Sequence, residues 1–268
     1  MILRTCLIIL GIFVLTSCDT NSGGSFSGES PTIGDGIDGV NGSYTALVSV
    51  DNRLYYVDGE FLYTNDITDP ANMVLMNKQN IGNNIETLFY RNNLIFIGSG
   101  PALYIYELDD EGIPFRISET RYDSFADDMV PCDPVIADEK FAYVTLSSTP
   151  ITVQEDGGCP RTELVNELRI YNIEDLKSPM LTSVTSLFNP KGLAIDGAHL
   201  FVCDSEEGLK VFDITNRESP QLIHHFEDIT TYDVIARNGL LVVTGPSAIV
   251  EYDYSDINTM TKIGTFNL

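Results

Sequence analysis

Three carboxylates, Glu86, Asp133 and Asp233, fall near one level when the short apolar strands around them are aligned, with Lys191 and Tyr232 at neighbouring positions. Two carboxyl groups about 5 to 10 Å apart can hydrolyse a glycosidic bond, one protonating the leaving oxygen and the other acting as nucleophile or base. The same oxygens can ligate Ca2+, which takes several oxygen donors in a flexible shell. A third reading is a set of solvated rim charges, because the chain carries 39 Asp and Glu against 15 Lys and Arg and brings carboxylates together in many places. Glu86, Asp133, Lys191, Tyr232 and Asp233 therefore form a candidate ligand site, with no residue assigned as catalytic and none as a metal ligand. Ca2+ is the one cofactor such a site would take.

The remaining reactive side chains point away from hydrolase or zinc chemistry. His199 falls in a turn, and His224-His225 fall in an outer strand, so a histidine-based triad or a His-rich metal site is not expected. Pro190-Lys191-Gly192 lacks the spacing of a phosphate-binding loop. Cys132, Cys159 and Cys203 lack the short paired spacing of a zinc site.

Cys18 carries a different chemistry. Arg4, an apolar run from Leu7 to Leu15, and Leu15-Thr16-Ser17-Cys18 resemble a bacterial lipoprotein signal, too short to span a membrane and remain there. The resemblance implies that residues 1–17 are removed and that Cys18 carries the lipid. Residues 18–42, dominated after the cysteine by Gly, Ser, Asn and Asp, read as a flexible tether. The formal net charge of −24 excludes nucleic acid as a partner, and an anionic membrane surface would repel the domain. Membrane attachment is therefore expected through the lipid alone. The expected address is the cell envelope, with the outer membrane or cell surface ahead of the inner membrane.

What positions the candidate site is a repeat. Apolar runs recur as Leu54-Tyr55-Tyr56-Val57, Leu94-Ile95-Phe96-Ile97, Phe141-Ala142-Tyr143-Val144, Leu200-Phe201-Val202-Cys203 and Leu240-Leu241-Val242-Val243. Each is followed by an alternating segment that ends near Asp66, Glu107, Asn172, Asp213 or Asp253, at intervals of 41, 65, 41 and 40 residues. A turn rich in Asp, Asn, Ser and Pro leads to one more strand, and a further strand precedes each apolar run. Units of about 40 residues with four strands are the signature of a propeller blade. The predicted fold is an all-β propeller of five blades of four antiparallel strands, about 44–84, 85–128, 129–190, 191–230 and 231–268, within a domain spanning 43–268.

Leu209-Lys210-Val211-Phe212-Asp213-Ile214 and Asp66-Ile67-Thr68-Asp69-Pro70-Ala71-Asn72 resemble the LVIVD repeat of bacterial and archaeal surface β-propellers. The similarity runs over residues 44–268, with Glu107 in place of the usual Asp in the second repeat and Met260 in place of Pro in the fifth. It implies a propeller at the surface or in the periplasm and brings no catalytic residues with it. The ring is expected to close, leaving no raw edge.

Connections into the first strand of each blade share one face, here called the top, with the loops between second and third strands. Extra residues near 123–131 and 147–166 both land there, which marks a binding surface. Cys132 and Cys159 sit on the same face in blade 3 and are expected to form a disulfide. Closing its loop of about 28 residues would stabilise by roughly 3 to 4 kcal/mol, while Cys203, inside an apolar strand, reads as a buried free thiol. The sequence thus favours a lipid-anchored, non-enzymatic module that binds a protein or glycan through its top face and the long blade-three loop. The alternative is a carbohydrate-active enzyme using Glu86, Asp133 and Asp233. A third reading, a structural envelope component, places partner contacts around the outer strands.

Overall fold

The computed structural model describes residues 46–82, 85–122, 131–132, 134–148 and 165–268, with backbone alone at residues 86, 131 and 132. Five antiparallel sheets follow one another along the chain. Blade 1 holds β1 (Leu47–Val50), β2 (Arg53–Val57), β3 (Phe61–Asp66) and β4 (Val74–Asn80). Blade 2 holds β5 (Ile85–Arg91), β6 (Leu94–Ser99), β7 (Ala102–Leu108) and β8 (Pro114–Arg121). In blade 3 the innermost position is shared by β9 (Pro131–Cys132) and β10 (Val135–Ala137), both paired with β11 (Phe141–Ser148), followed by β12 (Asn166–Asn172) and β13 (Met180–Ser186). Blade 4 holds β14 (Leu193–Asp196), β15 (His199–Cys203), β16 (Leu209–Asp213) and β17 (Gln221–Phe226). Blade 5 holds β18 (Asp233–Arg237), β19 (Leu240–Thr244), β20 (Ala248–Asp253) and β21 (Thr261–Asn267). This is the architecture of a five-bladed β-propeller, as the repeat predicts.

Why each third strand ends where it does is local chemistry. The side chains of Asp66, Asn172, Asp213 and Asp253 accept the backbone N–H two residues on, from Thr68 (2.7 Å), Glu174 (2.9 Å), Thr215 (2.7 Å) and Ser255 (2.9 Å). These Asx turns supply the acceptor that turns the chain out of the strand. Blade 2 carries Glu107 at the equivalent position, and there Asp109 does the work, accepting from Glu111 (2.9 Å) and Ile113 (2.8 Å). Every blade also shifts register by a residue between its third and fourth strands, at Thr64/Asn65, Ile105/Tyr106, Ile170/Tyr171, Val211/Phe212 and Glu251/Tyr252. Such bulges bend the outer strand and increase its twist.

Strand register corrects the alignment of the apolar runs by one residue. Arg53, Leu94, Phe141, His199 and Leu240 are equivalent, because they pair with Asp66, Glu107, Asn172, Asp213 and Asp253, the corresponding residues at or next to the ends of the third strands. The runs beginning at Leu54 and Leu200 are therefore displaced by one position from the other three. A one-residue slip moves a side chain to the opposite face of a sheet, so the displacement changes which blade each residue meets. In the true frame Tyr55, Phe96, Tyr143 and Phe201 are equivalent and all buried, each on the face its blade turns toward the next.

Three apolar clusters hold the blades together. One joins blades 1 and 2 through Tyr55, Leu62, Ile95 and Tyr104. A second runs through blades 2, 3 and 4, from Phe96 through Tyr143 to Leu200. The third joins blades 4 and 5 through Phe201, Val211, Val243 and Tyr252. None of the three bridges blade 5 and blade 1. The expected closing junction is thus unfilled among the described residues, and the reason is visible in the side chains. Val242 stands in the position that aromatic rings hold in the other four blades, and exposed Glu251 stands where they bury Thr64, Ile105, Ile170 and Val211.

Candidate functional site

The top face at the seam of blades 3, 4 and 5 is built on one connection, residues 187–192, which links β13 to β14. Its backbone is strapped down by side chains from blades 3 and 4 and meets the backbone of blade 5 at Tyr232. Asp204, fully buried at the end of β15, accepts the N–H of Phe188 (3.1 Å) and of Asn189 (2.8 Å) and pairs with the ammonium of Lys210. Ser205 donates to the Asn189 carbonyl at 2.8 Å, and Ser147 donates to the Asn189 side-chain oxygen at 2.6 Å. Thr145 donates to the Lys191 carbonyl at 2.6 Å, and Asn166 donates to the Phe188 carbonyl at 2.5 Å. Buried polar groups tolerate such a place only when satisfied, and a satisfied network is rigid.

Two large side chains stand on this floor. Phe188 is 53% exposed and Tyr232 is 46% exposed, although both backbones are firmly held. Tyr232 receives the Gly192 N–H at 2.9 Å and donates its own N–H to Thr244 at 2.7 Å. Lys191 shares the surface, its ammonium 3.5 Å from the Ser147 hydroxyl. Blade 5 comes so close to blade 4 here that a Cβ on Gly192 would lie 2.0 Å from the Asp233 carboxylate and 2.8 Å from its Cα. Only glycine fits. Beneath the seam, Cys203 is fully buried with a free thiol, which burial and then the charge of Asp233 push well above the ordinary thiol range. It is an inert packing residue, as its place in an apolar strand predicts.

Of the sequence-predicted site residues, Lys191, Tyr232 and Asp233 come together at this seam. Asp133, Cys159 and Cys18 lie outside the described residues. Glu86 lies on β5, and Cys132 lies on β9, where its backbone pairs with Ser147. His224 and His225 sit on the outer strand β17 as expected, where a His225 ring nitrogen lies 2.6 Å from the Glu207 carbonyl, whereas His199, expected in a turn, is the first residue of β15 and pairs with Asp213. Among the described residues no three His, Cys, Asp or Glu side chains stand together as a metal site. Sequence reasoning missed Phe188, Asn189, Asp204 and Lys210. The available signal was an aromatic residue beside Asn-Pro in a connection between blades.

The opposite, bottom face is where blades are tied to each other. Tyr55 donates to the Gly112 carbonyl of blade 2 at 2.9 Å, and burial pushes its phenol up to about 12. Arg217 of blade 4 donates to Asp138 and to the Tyr143 hydroxyl of blade 3, both at 3.2 Å. Tyr254 of blade 5 donates to Asp196 of blade 4 at 2.7 Å. These contacts use Tyr55, Arg217, Asp138, Tyr143, Tyr254 and Asp196 to hold neighbouring blades together, whereas the top seam presents its large side chains to solvent.

The fold and this seam define a multi-bladed β-propeller with a rigid, aromatic-bearing top face. Residues 189–228, which span blade 4, match the family model for the LVIVD repeat. No curated protein sequence matches the chain. Among solved structures the chain is similar to a protein from Lactobacillus plantarum, at 12% identity and a TM-score of 0.60 over 82% of this chain and 70% of that one. It is also similar to Saccharomyces cerevisiae Sqt1, at 10% identity and 0.56 over 81% of this chain and 61% of that one. Apo AztD from Citrobacter koseri gives 13% identity and 0.50 over 81% of this chain and 60% of that one. The chain thus spans less than two thirds of Sqt1 and AztD. At these identities the likeness shows the fold.

Proposed function

We propose that this protein is a lipid-anchored propeller of the cell envelope that binds a protein ligand on its top face, at the seam of blades 3 to 5. The observation that carries the reading is the pair of exposed rings, Phe188 and Tyr232, on a hydrogen-bonded floor. Held backbones and large exposed rings suit binding, because little freedom is lost when a partner covers them. Lys191 adds a cation to an otherwise acidic chain and selects for an acidic or carbonyl-rich partner. On this reading the long blade-three loop would add to the binding face, held by a Cys132–Cys159 disulfide. Cys18 is the proposed lipid anchor that ties the domain to an envelope membrane.

A photo-crosslinking amino acid at position 188 or 232 in cells, compared with one at Glu218 on the bottom face, tests the reading. Discrete adducts from the two top positions alone, lost on Lys191→Glu, are expected. Equal adducts from Glu218 would sink it, as would hydrolysis of a glycan that Asp233→Asn abolishes. Palmitate labelling of wild type but not of Cys18→Ser would support the anchor, and equal labelling would refute it.

A further inference from the structure

Among the described residues, blades 1 and 5 each leave one face open. Every blade presents a cross-strand row toward the blade that follows. In blade 1 it is Val48, Tyr55 and Thr64; in blade 2, Phe89, Phe96, Ile105 and Ser118; in blade 4, Ala194, Phe201 and Val211. All of these are buried. The equivalent row in blade 5 is Ile235, Val242, Glu251 and Gly264. Here Ile235 is 38% exposed and Glu251 is exposed.

The row that blade 1 turns to the other side is Leu47, Tyr56, Tyr63 and Lys78. Leu47 is 58% exposed, Tyr56 and Tyr63 stack in parallel with centroids 4.6 Å apart, and Lys78 lies 4.9 Å from the Tyr63 ring. In blades 2 to 5 the rows in this position begin Leu88-Ile97, Val135-Val144, Leu193-Val202 and Val234-Val243, all buried against the preceding blade. Blade 1 thus carries an apolar and aromatic row of the kind that is covered everywhere else.

We infer that a second copy of this chain covers it, blade 5 of each copy packing on blade 1 of its partner. Two such junctions are equivalent and satisfy both open faces at once, which is the closed symmetry most homodimers adopt. Charge and shape pick the pairing. Ile235 and Val242 meet Leu47 and Tyr56 near the centre. Farther out, Glu251, whose carboxylate lies over Gly264, meets Tyr63 and Lys78. Among the described residues no apolar cluster joins the two faces within one copy, so the inferred partner for each is another chain. Arg237 and Asp253 flank Leu240 on the same open face and offset each other.

Sedimentation of the full chain in mild detergent tests this. The wild type is expected at twice the protein mass of its single mature chain. Glu251→Lys alone and Lys78→Glu alone each place like charges at both junctions and are expected to sediment as monomers. Mixing the two variants restores an opposite-charge pair at both junctions of the mixed dimer, and dimer is expected to return. Both substitutions are at exposed positions, and an unchanged circular dichroism spectrum checks the fold. Monomeric wild type at every concentration would overturn the inference, as would single variants that remain dimeric or a mixture that stays monomeric.

Discussion

Replacing Asp204 by Ala tests whether the top seam is as rigid as its hydrogen bonds imply. Asp204 is 0% exposed and serves two backbone N–H groups and the Lys210 ammonium, whose side chain is 13% exposed. Removing one partner of a buried pair leaves the other charge uncompensated, at a cost of about 3 to 5 kcal/mol. Lys210 keeps a small opening to water, so the expectation lies near the lower end, about 3 kcal/mol. At a urea dependence of about 2 kcal/mol per molar, the unfolding midpoint falls by roughly 1.5 M without a change in slope. Asp204→Ala with Lys210→Met removes the orphan cation and leaves only the two amide donors, so its loss should fall to about 1 to 3 kcal/mol. The reasoning fails if Asp204→Ala costs under about 1 kcal/mol, or if the double variant is no better than the single one.

Three further outcomes follow from the same geometry. Gly192→Ala forces a methyl onto Asp233 and should separate blades 4 and 5, read as a lower melting temperature together with faster exchange of the Gly192 and Tyr232 amides. Unchanged exchange would show that the seam yields. Acid should destabilise through the bottom turns. The Thr68 hydroxyl and amide hold Asp66, those of Thr215 hold Asp213, and those of Ser255 hold Asp253, each below the ordinary carboxylate value of 3.8. Groups depressed in the folded state contribute stability above the unfolded value, and that stability is lost as pH falls through the folded values. Asp213→Asn should match wild type at neutral pH, since Asn172 already serves blade 3, and should flatten the loss below about pH 4 in a denaturation series. Tyr55→Phe removes the bond to the Gly112 carbonyl and should cost about 1 kcal/mol by urea titration, with no effect on cross-linking from position 188.

Much of this architecture was legible because it is local. Asp66, Asn172, Asp213 and Asp253 act on amides two residues away, so their spacing reports the strand ends directly, and the four-strand period follows. Even the exception is local, with Asp109 replacing the acceptor that Glu107 does not provide. The alignment of apolar runs was less secure, because Leu54 and Leu200 look like Leu94 and Leu240 and only the pairing of Arg53 and His199 across the sheet shows the one-residue displacement.

The candidate site divides along the same line. Counting along strands placed Asp233 at one level with Glu86 and Asp133, and Lys191 and Tyr232 at neighbouring positions. Asp204 was not singled out, since its partners Phe188 and Asn189 are 16 and 15 residues away. Its burial depends on how β15 packs beneath the connection. The sequence alone determined the number of blades and the turns that end their strands, consequences of hydrogen bonds made within a few residues. Tertiary structure decided which rings are exposed, which carboxylate is buried and which two blade faces remain open. Those properties belong to surfaces brought together from distant parts of the chain, and no short-range rule specifies them.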